Sequence, residues 1–209
     1  MKPSNSPQLL EWARQIQAIA QTECHYAHDD FSRERCRHLM DISAEIIGKS
    51  ARIEHLPLAN AFKRQIGYAT PKIDVRAAVF REGKLLLVRE RIDNGWTMPG
   101  GWADVGDTPA KAAERETWEE AGFKVKARRI VGVYDANRVA PFEVFHAFKI
   151  IFLCDIIDGE ARASNETSEV AFFGCEEIPK NFSGERTTAR HVKDSFAMLD
   201  DPAIPTVFD

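Results

Sequence analysis

The spacing of apolar residues changes near residue 70, and that change narrows the architectures open to the chain. Over residues 9–20, Leu9, Trp12, Ala13, Ile16, Ile19 and Ala20 recur at helical intervals. A second stretch repeats the pattern with Cys36, Leu39, Met40, Ile46 and Ile47, with Asp30 or Ser32 as its N-cap, and a third, shorter helix is expected around residues 59–65. Beyond Pro71 the runs shorten and become β-rich. Residues 73–80 and 85–90 flank the turn Arg81-Glu82-Gly83-Lys84 as a hairpin. Further strands are expected within 125–134, 144–156 and 170–173, and a closing helix over about 187–199. The pattern reads as an α/β (α+β) chain with a helical segment, 1–68, ahead of a mixed domain, 71–209.

Narrow apolar stripes in some 65 residues bury too little surface for the helical segment to stand alone. It is expected to pack on the following domain, on a second copy of itself, or both, and a homodimer through these helices is the reading carried forward. The 209 residues carry a net charge of -4, with no basic surplus to neutralise a nucleic-acid backbone, so nucleic acid is not the favoured partner. Residues 1–6 lack the apolar core of a signal peptide, and the apolar run at 150–154 is far too short for a membrane span. Cys24, Cys36, Cys154 and Cys175 form no CxxC pair and read as reduced thiols of a cytoplasmic protein. A zinc site from Cys24, His28, Cys36 and His38 is the rival use of these side chains, at a spacing that fits no familiar finger.

The chemistry concentrates in residues 100–123. Thr108 suits an N-cap, Pro109 the first helical position and Gly122 a left-handed C-terminal stop, so a helix is expected over 109–121. Glu116, Glu119 and Glu120 stand on it at i, i+3 and i+4, with roots about 5–6 Å apart on one side. Their mutual repulsion reverses sign around a hard divalent cation, which prefers carboxylate oxygens. Gly100-Gly101 ahead of the helix offers a backbone carbonyl at close range. A solvated face with Arg115 paired to Glu119 is the bland reading, but the whole pattern arises by chance on the order of once in 10⁵ chains.

The stretch resembles the signature box of the Nudix hydrolases, with Gly101, Arg115, Glu116, Glu119, Glu120, Gly122 and Phe123 on its fixed positions. Asp107 stands where that family has Glu, and Thr117 where an apolar residue is usual. The resemblance implies a mixed β-sheet sandwiched between helices. It also implies a metal-dependent pyrophosphohydrolase using two or three Mg²⁺ or Mn²⁺ ions, with Gly100, Glu116, Glu119 and Glu120 as ligands and Arg115 positioning the carboxylates. The N-terminal segment and the phrase 71–76 resemble a subgroup acting on nucleoside diphosphate–X compounds such as CDP-choline, ADP-ribose or nucleotide sugars.

For the general base, Glu116 is one candidate. Glu169 is another, preferred over Glu166 because it abuts a strand. Arg76 and Arg89, on adjacent strands of the hairpin, are candidates to reach phosphate. Trp102 and Phe145 are candidates to stack on a base, whereas Trp96 is expected in the core. Residues 136–143 are read as the specificity loop. Two other functions fit parts of the pattern: an RNA-directed activity on 5′ ends or as an exonuclease, and a non-catalytic nucleotide sensor.

Overall fold

The computed structural model describes residues 7–51, 54–139, 145–184 and 186–209, which form two compact units. The first comprises the described residues up to Pro71 together with Phe145 and His146. The second comprises Lys72–Val139 and Ala147–Asp209.

Three helices make the first unit: α1 (Pro7–Tyr26), α2 (Asp30–Ala51) and α3 (His55–Arg64). Leu10, Ala13 and Ala20 of α1 meet Met40, Ala44 and Ile47 of α2 and Leu58, Ala59 and Phe62 of α3 in one buried cluster. Small residues at the α1–α2 contact let Ser43 Oγ donate to the Ala13 carbonyl at 2.6 Å, satisfying a hydroxyl that burial would otherwise penalise. The N-cap of α2 lies one residue earlier than expected. Asp29 accepts both the Ser32 N–H and the Ser32 hydroxyl at 2.7 Å, because only from that position does a carboxylate reach the third amide of the helix.

The second unit is a mixed seven-stranded sheet of β1 (Lys72–Arg81), β2 (Lys84–Glu90), β3 (Trp96–Thr97), β4 (Phe123–Asp135), β5 (Ala147–Gly159), β6 (Thr167–Phe173) and β7 (Val207–Phe208). The order is β3-β2-β1-β5-β4-β7, with β6 also on β2. The β1–β5 and β4–β7 pairs are parallel and the others antiparallel. The β1–β2 turn places Glu82 and Gly83 at φ 53° and 74°, the two left-handed positions of a tight hairpin.

Strand alternation sorts the core into two layers. Val75, Ala77 and Val79 of β1 with Leu86 and Val88 of β2 pack under α4 (Pro109–Ala121), beside Ala112, Ala113 and Ala121. Ala78, Leu85, Leu87 and Ile151 face the other way, against Val192, Phe196 and Met198 of α6 (Ala189–Asp200). Each fully buried leucine here contributes about 1.5–3 kcal/mol. Three strand starts differ from expectation by two residues or more, β6 among them, which begins at Thr167 rather than 170. β4 begins at Phe123, directly after the left-handed Gly122, and β5 begins at Ala147 because Phe145 and His146 belong to the first unit.

Candidate active site

Local chemistry fixes the box helix at both ends. Thr108 Oγ accepts the Lys111 N–H at 3.3 Å, Pro109 opens the first turn, and Gly122 closes it at φ 78°. The loop before it lies along β1: Val75 N–H donates to the Gly101 carbonyl at 2.8 Å, Ala77 N–H to that of Pro99 at 2.9 Å, and Ala103 N–H to that of Ile73 at 3.0 Å. Gly100, at φ +144°, lies so close to the Val75 carbonyl that a side chain would collide with backbone. The Glu116 carboxylate crowds Gly101, its Oε2 lying 3.1 Å from where a β-carbon there would stand.

Arg115 organises the acidic face. Its Nη1 donates to Glu116 at 2.7 Å and Glu119 at 3.1 Å, its Nε and Nη2 to Asp107 at 3.2 Å, and Asp104 lies 3.3 Å away. Asp107 therefore reaches the arginine despite being one methylene shorter than the usual Glu. Thr117, where an apolar residue is usual, is fully buried with its hydroxyl on the Ala113 carbonyl at 2.7 Å. Glu120 turns inward to accept the Gly100 N–H at 2.9 Å and is 6% exposed. Burial pushes its carboxyl up to about 8, against the pull of Arg76 and of the Gly100 amide, and with the added repulsion of Glu116 and Glu90. Burial also raises Glu116, with Arg115 opposing and Glu119 reinforcing.

Among the described residues no three His, Cys, Asp or Glu side chains converge on one point. In the box this is because the Arg115 guanidinium stands between Glu116 and Glu119 while Glu120 is drawn to Gly100. The donor chemistry nevertheless fits hard divalent cations. Three carboxylates share one helix side, a β-carbon-free cradle lies against Glu116, and the Gly100 carbonyl accepts no hydrogen bond from a described residue. Glu119 is half exposed, so reorienting it requires little repacking.

The remaining expected residues divide. Arg76 lies close enough to Glu120 to pull on its charge, but it is buried. It gives Nε and Nη2 to the Asp74 carboxylate at 2.9 and 3.0 Å and Nη1 to the Met98 carbonyl at 3.3 Å. Arg89 and Glu169, paired across β2 and β6, form an ion pair at 2.5 Å. Both continue the alternation of Leu85, Leu87, Ala171 and Phe173, whose side chains face α6. The structure thus turns Glu169 away from the box helix, which corrects the preference for it as base. Trp102 is 46% exposed in the glycine-rich loop, where its backbone pairs with Asp74. Phe145 is also corrected: it packs edge-on to Phe62 at 6.0 Å in the core of the helical unit. Trp96 is buried edge-on to Phe173. Cys24, His28, Cys36 and His38 fall under the same absence of a converging group, and all four cysteines are free. Of the expected specificity loop, Ala136–Val139 is a short helix and residues 140–143 lie outside the described residues.

Sequence reasoning passed over Asp74, Lys149 and Glu90. Asp74 accepts from both Arg76 and Lys149, the latter at 3.4 Å. Burial acts to raise its carboxyl, but Arg76 and Lys149 outweigh it and hold it below the ordinary range. Glu90 ends β2 in the inward series Leu86, Val88, Glu90 and is 8% exposed. That alternation was the available signal.

The NUDIX domain family matches residues 70–194, and a family described as a UDP-X-like, N-terminal oligomerisation domain matches residues 7–62. The chain is 36% identical over 201 residues to a provisionally named ADP-ribose pyrophosphatase, YjhB, of Bacillus subtilis (strain 168), covering 96% of each chain. A crystal structure of a UDP-X diphosphatase superposes with TM-score 0.62 at 28% identity, over 97% of this chain and 98% of that one. The ADP-ribose pyrophosphatase of Streptococcus suis 89-1591 gives TM-score 0.61 at 34% identity, over 67% of this chain and all of the other.

Proposed function

Since the chain belongs to the Nudix hydrolase family, we propose that it hydrolyses the diphosphate of a nucleoside diphosphate–X, with ADP-ribose the first compound to test, in a reaction dependent on Mg²⁺ or Mn²⁺. The observation that carries this reading is the placing of Glu116 against Gly101 and of Glu120 on the Gly100 N–H, with Arg115 holding Glu119 next to Glu116.

When bound, the cations supply charge neutralisation on the diphosphate oxygens and a more acidic water. Glu116, Glu119, Glu120 and the Gly100 carbonyl would hold them. The chain's own work is positional. Arg115 and Asp107 brace the carboxylates, Thr108 and Gly122 fix the helix that presents them, and Glu116 takes the proton of the attacking water. A new bond forms between water oxygen and one phosphorus, and the bridging P–O bond breaks. The products are a nucleoside monophosphate and phosphorylated X. Trp102, exposed in the box loop, is the residue we assign to stack on the base.

The chain acts as a homodimer through its first unit. Leu9, Trp12 and Ile19 form a stripe on α1, and Leu39 and Ile42 another on α2, all at least 36% exposed beside the faces already used in the unit's core. Light scattering at micromolar concentration should give twice the chain mass, and a monomer would remove this part of the reading. Four free cysteines suit a reducing cytoplasm, and no helix among the described residues is long and apolar enough to cross a membrane.

A product panel of ADP-ribose, CDP-choline, a UDP-sugar and a short 5′-triphosphate RNA, each with Mg²⁺, Mn²⁺ or EDTA, tests the activity. Metal-dependent nucleoside monophosphate from one of the first three supports it. Turnover in EDTA, or release from RNA alone, overturns it.

A further inference from the structure

The box helix supplies carboxylates from one side only, and the sheet beneath it contributes another. Glu90 is the last residue of β2, where Leu86 and Val88 pack under α4, and strand alternation sends its side chain to that same face. Its cross-strand partner is Thr167, reached past a β-bulge in which Ser168 is the extra residue on β6. Such bulges re-aim side chains and recur beside active sites. Here the bulge turns Thr167 toward α4, where its hydroxyl donates to the Glu120 carbonyl at 2.7 Å. Directly opposed residues of an antiparallel pair project together, with β-carbons about 4.5–5.5 Å apart. Glu90 is thereby set beside the stretch of α4 that carries Glu120.

Two features of Glu90 point to a ligand. It is 8% exposed, and among the described residues its carboxylate has no hydrogen-bond or ion-pair partner. Its main chain is fully engaged in the turn that follows, with its N–H donating to Gly95 at 2.9 Å and its carbonyl accepting from Asn94 at 3.0 Å. The groups that feel its charge are Glu120, which repels it, and Arg76, which is already bidentate on Asp74. Two like charges this near each other, with little solvent around them, oppose each other unless a cation joins them.

We propose that Glu90 is a fourth carboxylate of the divalent-cation centre, supplied by the end of β2 to the ions that Glu116 and Glu120 hold. This assignment rests on reading the box glutamates as cation ligands. The alternative use of Glu90, as a fixed counter-charge for Arg76, makes opposite predictions.

Calorimetric titration of Mn²⁺ into the full chain and its melting temperature with EDTA or Mn²⁺ separate them, using wild type, Glu120→Gln and Glu90→Gln. Glu90→Gln should weaken Mn²⁺ binding about tenfold or more. It should shrink the Mn²⁺-induced rise in melting temperature and leave the EDTA melt at or above wild type. Unchanged Mn²⁺ affinity in Glu90→Gln, while Glu120→Gln loses it, overturns the proposal and leaves the box reading intact. Wild type that binds no Mn²⁺ sinks both. A Glu90→Gln melt in EDTA below wild type, with Mn²⁺ affinity retained, assigns Glu90 to Arg76 and also overturns it. Should Glu90→Gln fail to fold, Glu90→Asp, which keeps the charge and shortens the reach, is read the same way: lost affinity supports the proposal and wild-type affinity refutes it.

Discussion

Two ionic networks lie on opposite faces of the same sheet, and they are built differently. On the α4 side, Arg115 holds Asp104, Asp107, Glu116 and Glu119 with a guanidinium about one-third exposed, and Glu119 is half in solvent. On the α6 side, Asp74 binds Arg76 and Lys149 with all three side chains at most 10% exposed. The first arrangement is acid-rich and loosely packed, so its carboxylates can be drawn onto added cations with little disturbance. The second is matched in charge and locked by packing, with Thr97 and Thr187 hydroxyls 2.9 Å apart beside it. The proposed reaction asks the first network to change partners, while the second holds β1, β3 and β5 in place beneath it.

The contrast predicts different failures. Asp74→Ala removes the acceptor of two Arg76 hydrogen bonds inside the core and should cost about 3–5 kcal/mol of stability in urea unfolding. A cost under about 1 kcal/mol would mean that this network is no more fixed than the other. Glu120→Gln should do the reverse: a melt close to wild type, and kcat for ADP-ribose lower by about a hundredfold or more, equivalent to about 3 kcal/mol. Near-normal turnover would remove Glu120 from the cation site, and collapse of the fold would place it with the structural network.

The difference between the networks also explains what the sequence could reveal. The box helix was legible to the residue, because Thr108, Pro109 and Gly122 act through local backbone chemistry and the glutamate spacing is a property of one helix. Five of the seven strands were legible, since alternation is local too, whereas the two-residue β3 and β7 are too short to show it. Partners were not legible. Asp74 meets Lys149 only because β1 and β5 run parallel in register, Asp74 opposite Lys149, a pairing 75 residues apart. Arg76 looked like an exposed phosphate ligand because nothing near it in sequence announced its burial. Glu169 looked better placed than it is because its face depends on which side of β6 pairs toward α6, through a partner, Arg89, that is 80 positions away. Phe145 lay at the edge of a β-rich run, and its partner, Phe62, is 83 positions earlier, in the helical unit to which Phe145 also belongs.

A smaller effect tests how closed the α6 side is. His191 of α6 is 1% exposed. Its Nδ1 accepts the Thr188 N–H at 3.2 Å, and its Nε2 is buried without a partner among the described residues. Burial lowers it to about 3, with Lys149 of β5, Arg76 of β1 and Arg190 of α6 opposing its charge and Asp74 of β1 favouring it; the ring of Tyr134 on β4 lies 4.6 Å away. A histidine neutral in the folded chain and ordinary in the unfolded one costs nothing above about pH 6.5. It draws protons to the unfolded state as pH falls from there toward 3. Relative to His191→Asn, wild type should lose about 2–3 kcal/mol of stability between pH 8 and pH 4.5, measured by urea unfolding at both. Parallel losses in the two proteins would show that the pocket admits water or a proton at little cost.

The smallest expected effect carries the most information about orientation. Arg89 and Glu169 are bonded at 2.5 Å, but 34% and 53% of their side chains are exposed, so solvent screens the pair. A double-mutant cycle with Arg89→Ala and Glu169→Gln should give a coupling of about 0–1 kcal/mol. Turnover should fall less than about threefold in Glu169→Gln, with the acidic limb of the pH–rate profile in place. The two readouts fail independently. A coupling of several kcal/mol would place the pair with the locked network around Asp74. A hundredfold loss of kcat with the acidic limb gone would mean that Glu169 crosses to the α4 face when substrate is bound, and that the base of the reaction comes from β6 and not from the box helix.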